Sequence, residues 1–273
     1  EKKDLENTID LISKNNNYKI KNLTNINTTE DILNILPTRV ISLVHFGRSG
    51  TGLLHSLIDH HEQIYTLPGI YLSEYFDYSI WEKITANGWE SIVDNFISIY
   101  EVLFDSSSNT PVLSKGHRYI RNVGYSDGFT NLGNNHDEIL KLDKNLFKQK
   151  LNELISHFRE LDPLSFFKLI HIAYDRTTKN YNKKDIIFYH IHNPDIYSQL
   201  NLIHLDTNHN WILMVREPIQ SCESWIKNNF QDNDYLNCSM KITTMLLDVD
   251  NIIYTKQNAI GLRLEDLKKY PKK

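Results

Sequence analysis

The run Arg39–Phe46, apolar at five of its eight positions, leads straight into Gly47-x-x-x-x-Gly52, after which the pattern is helical to about His60. A buried strand, a glycine-rich turn and a helix in direct succession constrain the fold more than any other stretch. The glycines let the backbone approach a ligand closely. Successive N–H groups and the helix N-terminus then present partial positive charge to anionic oxygens. Such a unit belongs to an α/β protein with its loop at the end of a sheet.

The rest of the chain fits that frame. Ile64–Leu67, Asp185–His190, Trp211–Val215 and Ala259–Leu264 read as further strands, and 195–206 and 217–229 read as helices. Strand–helix alternation predicts a parallel sheet covered on both faces. Residues 1–36 read as a polar helical extension, with Thr29 capping a helix over Asp31–Leu36 and Pro37 ending it. From about 68 to 184 the character changes to aromatic-rich helices. One is marked by Phe147, Leu151, Leu154, Ile155 and Phe158 on a single face. We expect one domain over 37–273, a three-layer α/β/α sandwich built like a P-loop nucleotide kinase. The segment 68–184 would be a helical lid inserted over its pocket.

Composition narrows the class. The chain has 273 residues, 40% of them hydrophobic and 23% charged, the balance of a globular protein. A net charge of -4 argues against general nucleic-acid binding. No apolar run approaches the roughly 20 residues of a spanning helix. The only cysteines, Cys222 and Cys238, fall in helical segments and read as reduced core thiols, which suits the cytoplasm. The sequence begins at Glu1 rather than Met, as a piece of a longer protein would.

Three groups of residues carry chemistry. In the first loop Arg48 supplies a permanent positive charge and Thr51 a hydroxyl. An NTPase would need Lys and then Ser or Thr directly after the second glycine, where this chain has Leu53 and Leu54. In the second group Arg216 ends the strand Trp211–Val215, and Pro218 opens a helix. Ser224 follows Arg216 by eight positions (224 − 216), so the pair can grip one phosphate. In the third, His190 and His192 alternate at a strand end and point to one face. Imidazoles suit proton transfer near neutral pH. No third ligand at a zinc spacing stands beside them.

Gly47-Arg48-Ser49-Gly50-Thr51 resembles the 5′-phosphosulfate loop of sulfotransferases that use 3′-phosphoadenosine 5′-phosphosulfate (PAPS). Leu53-Leu54-x-x-Leu57-Ile58-Asp59-x-His61 resembles the helix that follows it. Gly52 stands where many members repeat Thr. Arg216 and Ser224 resemble the family's 3′-phosphate site, and Leu262-Arg263-Leu264-Glu265-Asp266-Leu267 resembles a motif near its C-terminus. The resemblance implies transfer of a sulfuryl group to an acceptor hydroxyl or amine, on a small molecule or carbohydrate, leaving PAP. It implies no metal, because a sulfuryl group carries less charge than a terminal phosphoryl. Gly47 through Leu53, with Arg216 and Ser224, would bind the nucleotide.

His192 matches the family's general base in a Lys-x-His-x-Pro strand end, 24 residues before Arg216 (216 − 192), with His190 at the position of the Lys. Glu74 is a second candidate, since some branches place a glutamate base soon after the second strand. His117, in Lys115-Gly116-His117, is a third. The resemblance covers about 38–67 and 185–270. A P-loop kinase or NTPase and a non-catalytic nucleotide-binding module are the competing expectations.

Overall fold

The computed structural model describes residues 34–69, 71–72, 74–110, 123–124, 131–158, 161–192, 196–206, 209–228, 234–250 and 258–270. The expected extension over 1–36 lies almost wholly outside the described residues. Among the described residues there are seven strands, β1 (Arg39–His45), β2 (Ile64–Tyr65), β3 (Asn109–Thr110), β4 (Val123–Gly124), β5 (Ile186–His192), β6 (Asn210–Val215) and β7 (Asn258–Arg263). Among them too are nine α-helices, α1 (Thr51–Ile58), α2 (Tyr78–Thr85), α3 (Ile92–Ile99), α4 (Lys144–Ile155), α5 (Pro163–Thr177), α6 (Ile196–Leu205), α7 (Pro218–Lys227), α8 (Tyr235–Val249) and α9 (Leu264–Lys269).

Five strands form one parallel sheet in the order β2-β5-β1-β6-β7. A parallel sheet needs cover on both faces, and alternation along each strand divides its side chains between two cores. Val40 and Val44 of β1 join Ile187, Tyr189 and Ile191 of β5 in the larger core. That core continues without a break into the helices of 68–184, through Trp81, Phe96, Phe147, Phe166 and Phe167. The described helices of this segment, α2 to α5, therefore form an outer layer of the sandwich. On the other face Leu43, Phe188 and Met214 pack on Leu54 of α1 and Leu264 of α9. A third cluster joins Phe46 to α7 and α8 through Cys222, Trp225, Cys238 and Met245. Both cysteines are free and buried.

The elements follow the expected pattern, with shifts at their ends. β5 runs to His192, two residues past the expected end, because Leu43 and His45 of β1 pair alongside His190 and His192. β2 stops at Tyr65 rather than Leu67. There the Thr66 hydroxyl turns to donate to Asp59 at 2.6 Å, and Pro68 has no N–H to give a ladder. In α4, Phe147, Leu151, Leu154 and Ile155 are buried as the periodicity requires, and Phe158 is buried just beyond its end.

Acidic residues cap five helices: Asp77, Asp143, Asp162, Glu217 and Asp234 each accept from first-turn N–H groups. Among the described residues no helix is long and apolar enough to cross a membrane.

Candidate anion and proton-transfer site

The chain leaves β1 at the sheet centre for β2 and β5 on one side, then crosses to β6 and β7 on the other. In open α/β sheets ligands bind at the carboxyl ends of the strands, where the strand order reverses. The loops after β1 and β6 and the end of β5 meet at that edge, bringing Gly47–Gly50, Arg216 and His192 there.

The loop after β1 is held from within. Ser49 is fully buried, and its hydroxyl donates to the Phe46 carbonyl at 2.7 Å. That hydroxyl braces the loop from within. Its backbone N–H also reaches the Phe46 carbonyl, at 3.3 Å. Arg48 takes φ 68°, an uncommon conformation for a residue with a Cβ, and its side chain is exposed. Gly50 takes φ 94° and stands at the N-cap of α1 with no side-chain cap. The first-turn N–H groups of α1, at Thr51 and Gly52, head a helix whose positive end meets the loop. A Cβ at Gly52 would meet nothing within 4 Å, so the approach to this helix end is open.

Both recognition motifs converge here. Arg48 Nε donates to Ser224 Oγ at 3.2 Å, joining the loop to α7 across 176 positions of sequence. Arg216 Nη1 donates to the Arg48 carbonyl at 3.3 Å, while its Nε is buried with no hydrogen-bond partner among the described residues. Two guanidinium groups, a hydroxyl and a helix N-terminus thus share one edge. Such a set suits phosphate and sulfate oxygens.

Two further neighbours hold the loop: Trp225, which gave no signal in the sequence, and Leu264, which lies in the motif over 262–267 but was given no role there. Trp225 donates its indole N–H to the Gly47 carbonyl at 2.6 Å and lies against Gly47. Leu264 covers Gly50 so closely that a Cβ there would overlap its side chain. The adjoining Glu265 accepts from the backbone N–H of Glu217 at 3.2 Å. Burial alone would raise the Glu265 carboxyl, but backbone N–H groups, Arg263 and Arg216 hold it below the usual range.

The histidines form a connected group. His192 Cε1 would sit 3.7 Å from a Cβ at Gly47, so this ring borders the anion loop. His192 Nδ1 is 3.5 Å from His45 Nδ1, and His45 Nε2 is 3.2 Å from His190 Nδ1. His190 Nε2 is 2.8 Å from Nδ1 of His55, on α1. Burial pushes His45 down to about 4, against an opposing bond from the Phe46 backbone. Burial, then the charges that His45, His55 and His192 could carry, hold His190 well below the ordinary range. These effects favour the uncharged ring at His190. His55 is also lowered by burial, opposed by Asp59. Among the described residues no group of three or more His, Cys, Asp or Glu side chains is arranged to hold a metal ion.

Glu74 is half-buried in the turn before α2; burial, and then the negative charges of Glu74 and Asp77, raise the Tyr100 hydroxyl well above its usual range. Leu67, Pro68, Gly69 and Leu72 border a cleft with His171, Phe188 and His190, beyond the end of β2. His117 lies outside the described residues. Comparison with protein-family models, with curated proteins and with solved structures found no match.

Proposed function

We propose that this chain is a sulfotransferase that moves a sulfuryl group from PAPS to an acceptor hydroxyl or amine. The observation that carries the reading is the junction of Arg48, Arg216 and Ser224 at the carboxyl edge of the sheet. A donor with phosphate at both the 3′ and 5′ positions needs two anion grips close together, and these three residues supply them. Leu53 and Leu54 stand where an NTPase would hold its phosphate lysine and magnesium hydroxyl. Metal-independent sulfuryl transfer accords with that loop.

In the proposed reaction the acceptor oxygen or nitrogen attacks sulfur in line with the bond to the 5′-phosphate. That S–O bond breaks, and PAP leaves. Arg48 and the N–H groups heading α1 offset charge on the sulfuryl and bridging oxygens. Arg216 and Ser224 hold the 3′-phosphate. His192 takes the acceptor proton; its ring borders Gly47, which favours it over Glu74 as the base.

The test supplies PAPS labelled in its sulfur, with panels of hydroxyl and amine acceptors, in the presence of a chelator. Label should pass to an acceptor, and Arg48→Ala should abolish transfer and weaken PAP binding. Unchanged turnover in Arg48→Ala would overturn the loop's role. Magnesium-dependent nucleotide hydrolysis would make the chain an NTPase, and tight PAP binding without transfer would make it a binding module.

A further inference from the structure

We propose that His192, His45, His190 and His55 form a proton wire that carries the acceptor's proton from the Gly47 loop to solvent beside Asp59. The proposal rests on the sulfuryl-transfer reading with His192 as base. Its foundation is connectivity. The three nitrogen–nitrogen distances are 3.5, 3.2 and 2.8 Å, and they run in series through four rings. Both nitrogens of each interior ring, His45 and His190, are engaged with another imidazole. These two rings are 1% and 5% exposed. Rings packed only for shape have no need to meet nitrogen to nitrogen at every junction.

A neutral imidazole has one N–H and one bare nitrogen, so a string of them is ordered in one of two senses. In one sense His192 Nδ1–H donates to His45 Nδ1, His45 Nε2–H donates to His190 Nδ1, and His190 Nε2–H donates to His55 Nδ1. This sense leaves His192 Nε2 bare as a base and puts the last proton on His55 Nε2. As His192 Nε2 takes the acceptor proton, its Nδ1 proton passes to His45. The Nε2 proton of His45 passes to His190, that of His190 to His55, and that of His55 to water. One proton enters, one leaves, and all four rings end neutral in the opposite sense.

The exit is polar. His55 is half-buried at the last turn of α1, next to Asp59, which accepts from Thr66 and lies 3.0 Å from the exposed His60. During transfer, donor and acceptor cover the Nε2 side of His192, and the wire gives the proton another way out. After product release His192 Nε2 loses its proton to water and His55 gains one, which restores the first sense.

The experiment has two arms. In the first, ¹⁵N NMR of histidine-labelled protein without ligand reads the tautomers at neutral pH. We expect His192 protonated on Nδ1, and His45, His190 and His55 on Nε2. The opposite sense, or His190 protonated on both nitrogens, overturns the wire. In the second, His190→Gln and His55→Gln are compared with wild type, the latter guarding against misfolding of the buried variant. Turnover should fall about tenfold, less than the ~10²–10⁴ lost with a base itself. PAP affinity should be kept, and a proton inventory in mixed H₂O and D₂O that is curved for wild type should become linear. Turnover and isotope effect unchanged in both variants would overturn the wire while leaving sulfuryl transfer intact. Absence of transfer by wild type, with the expected tautomers present, would overturn the transfer reading instead.

Discussion

At Gly50 the backbone takes φ 94°, and the Leu264 side chain occupies the space a Cβ would need. Gly50→Ala therefore meets two costs at once, a left-handed conformation and displacement of a buried leucine. We expect a loss of about 1–3 kcal/mol, read by urea denaturation. Stability equal to wild type would show that the loop relaxes freely. A milder change is Trp225→Phe, which removes the bond to the Gly47 carbonyl but keeps the packing. Its expected effect is about 0.5–1.5 kcal/mol, with weaker nucleotide binding as the loop loosens. Gly47, Gly50 and Arg48 were legible in the sequence because a Gly-rich turn after a buried strand has a local signature. Trp225 and Leu264 were not. They meet the loop across 178 and more than 200 positions, and nothing in their own neighbourhood marks that contact. The turn of the Ser49 hydroxyl back to the Phe46 carbonyl is likewise a property of the folded loop and has no local signature.

Strands β1 and β5 carry the histidines, and their pairing has a consequence for stability. His45 is pushed down to about 4 by burial, as is His171 of α5, and His190 lies well below its ordinary value. A lowered histidine pKa means that the unfolded chain takes up a proton that the folded chain refuses. The folded state is unpenalised above about pH 6.5, and stability falls as pH drops from there toward 4. Each such histidine steepens the fall by about 1.4 kcal/mol per pH unit within that window. Urea midpoints at pH 7.5, 6 and 5 should decline progressively, and a flat profile would show the rings to be charged or solvated in the native protein. The two β5 histidines could be seen to share a face from their alternation alone. That His45 and His55 join them depends on β1 lying beside β5 with His45 opposite His192. Register between strands separated by 147 positions is set by tertiary packing, so the four-ring string could not be read from sequence. β6, with its apolar run Trp211–Val215, and the capped helix after Pro218 were legible because their signals are local.

Over the whole molecule, the sheet order brings Arg48, Arg216 and Ser224 together although they span most of the described chain. The Arg-x-x-x-x-x-x-x-Ser spacing predicted Arg216 and Ser224 as a pair, and in the structure each of them bonds to Arg48. Their meeting with the β1 loop follows from β6 lying next to β1. The outer layer formed by 68–184 was legible as helical but not as part of the same core, since its aromatic residues choose partners across the sheet. A ligand that bridges loop and α7 should stabilise the entire fold by mass action. At 100 times its Kd, PAP should add about 2.7 kcal/mol to unfolding, seen as a rise in Tm. The same nucleotide without its 3′-phosphate should stabilise less, because the Arg216 contact is charge-assisted and worth about 1.5–3 kcal/mol. Arg216→Ala should remove that difference, leaving the two nucleotides nearly equal in calorimetry while the contacts of Arg48 and the α1 N-terminus persist. Some loss for both nucleotides is also expected, since Arg216 holds the Arg48 carbonyl. The decisive quantity is the ratio of the two affinities. If that ratio is the same in wild type and Arg216→Ala, Arg216 does not read the 3′-phosphate, and its role is confined to bracing the loop after β1.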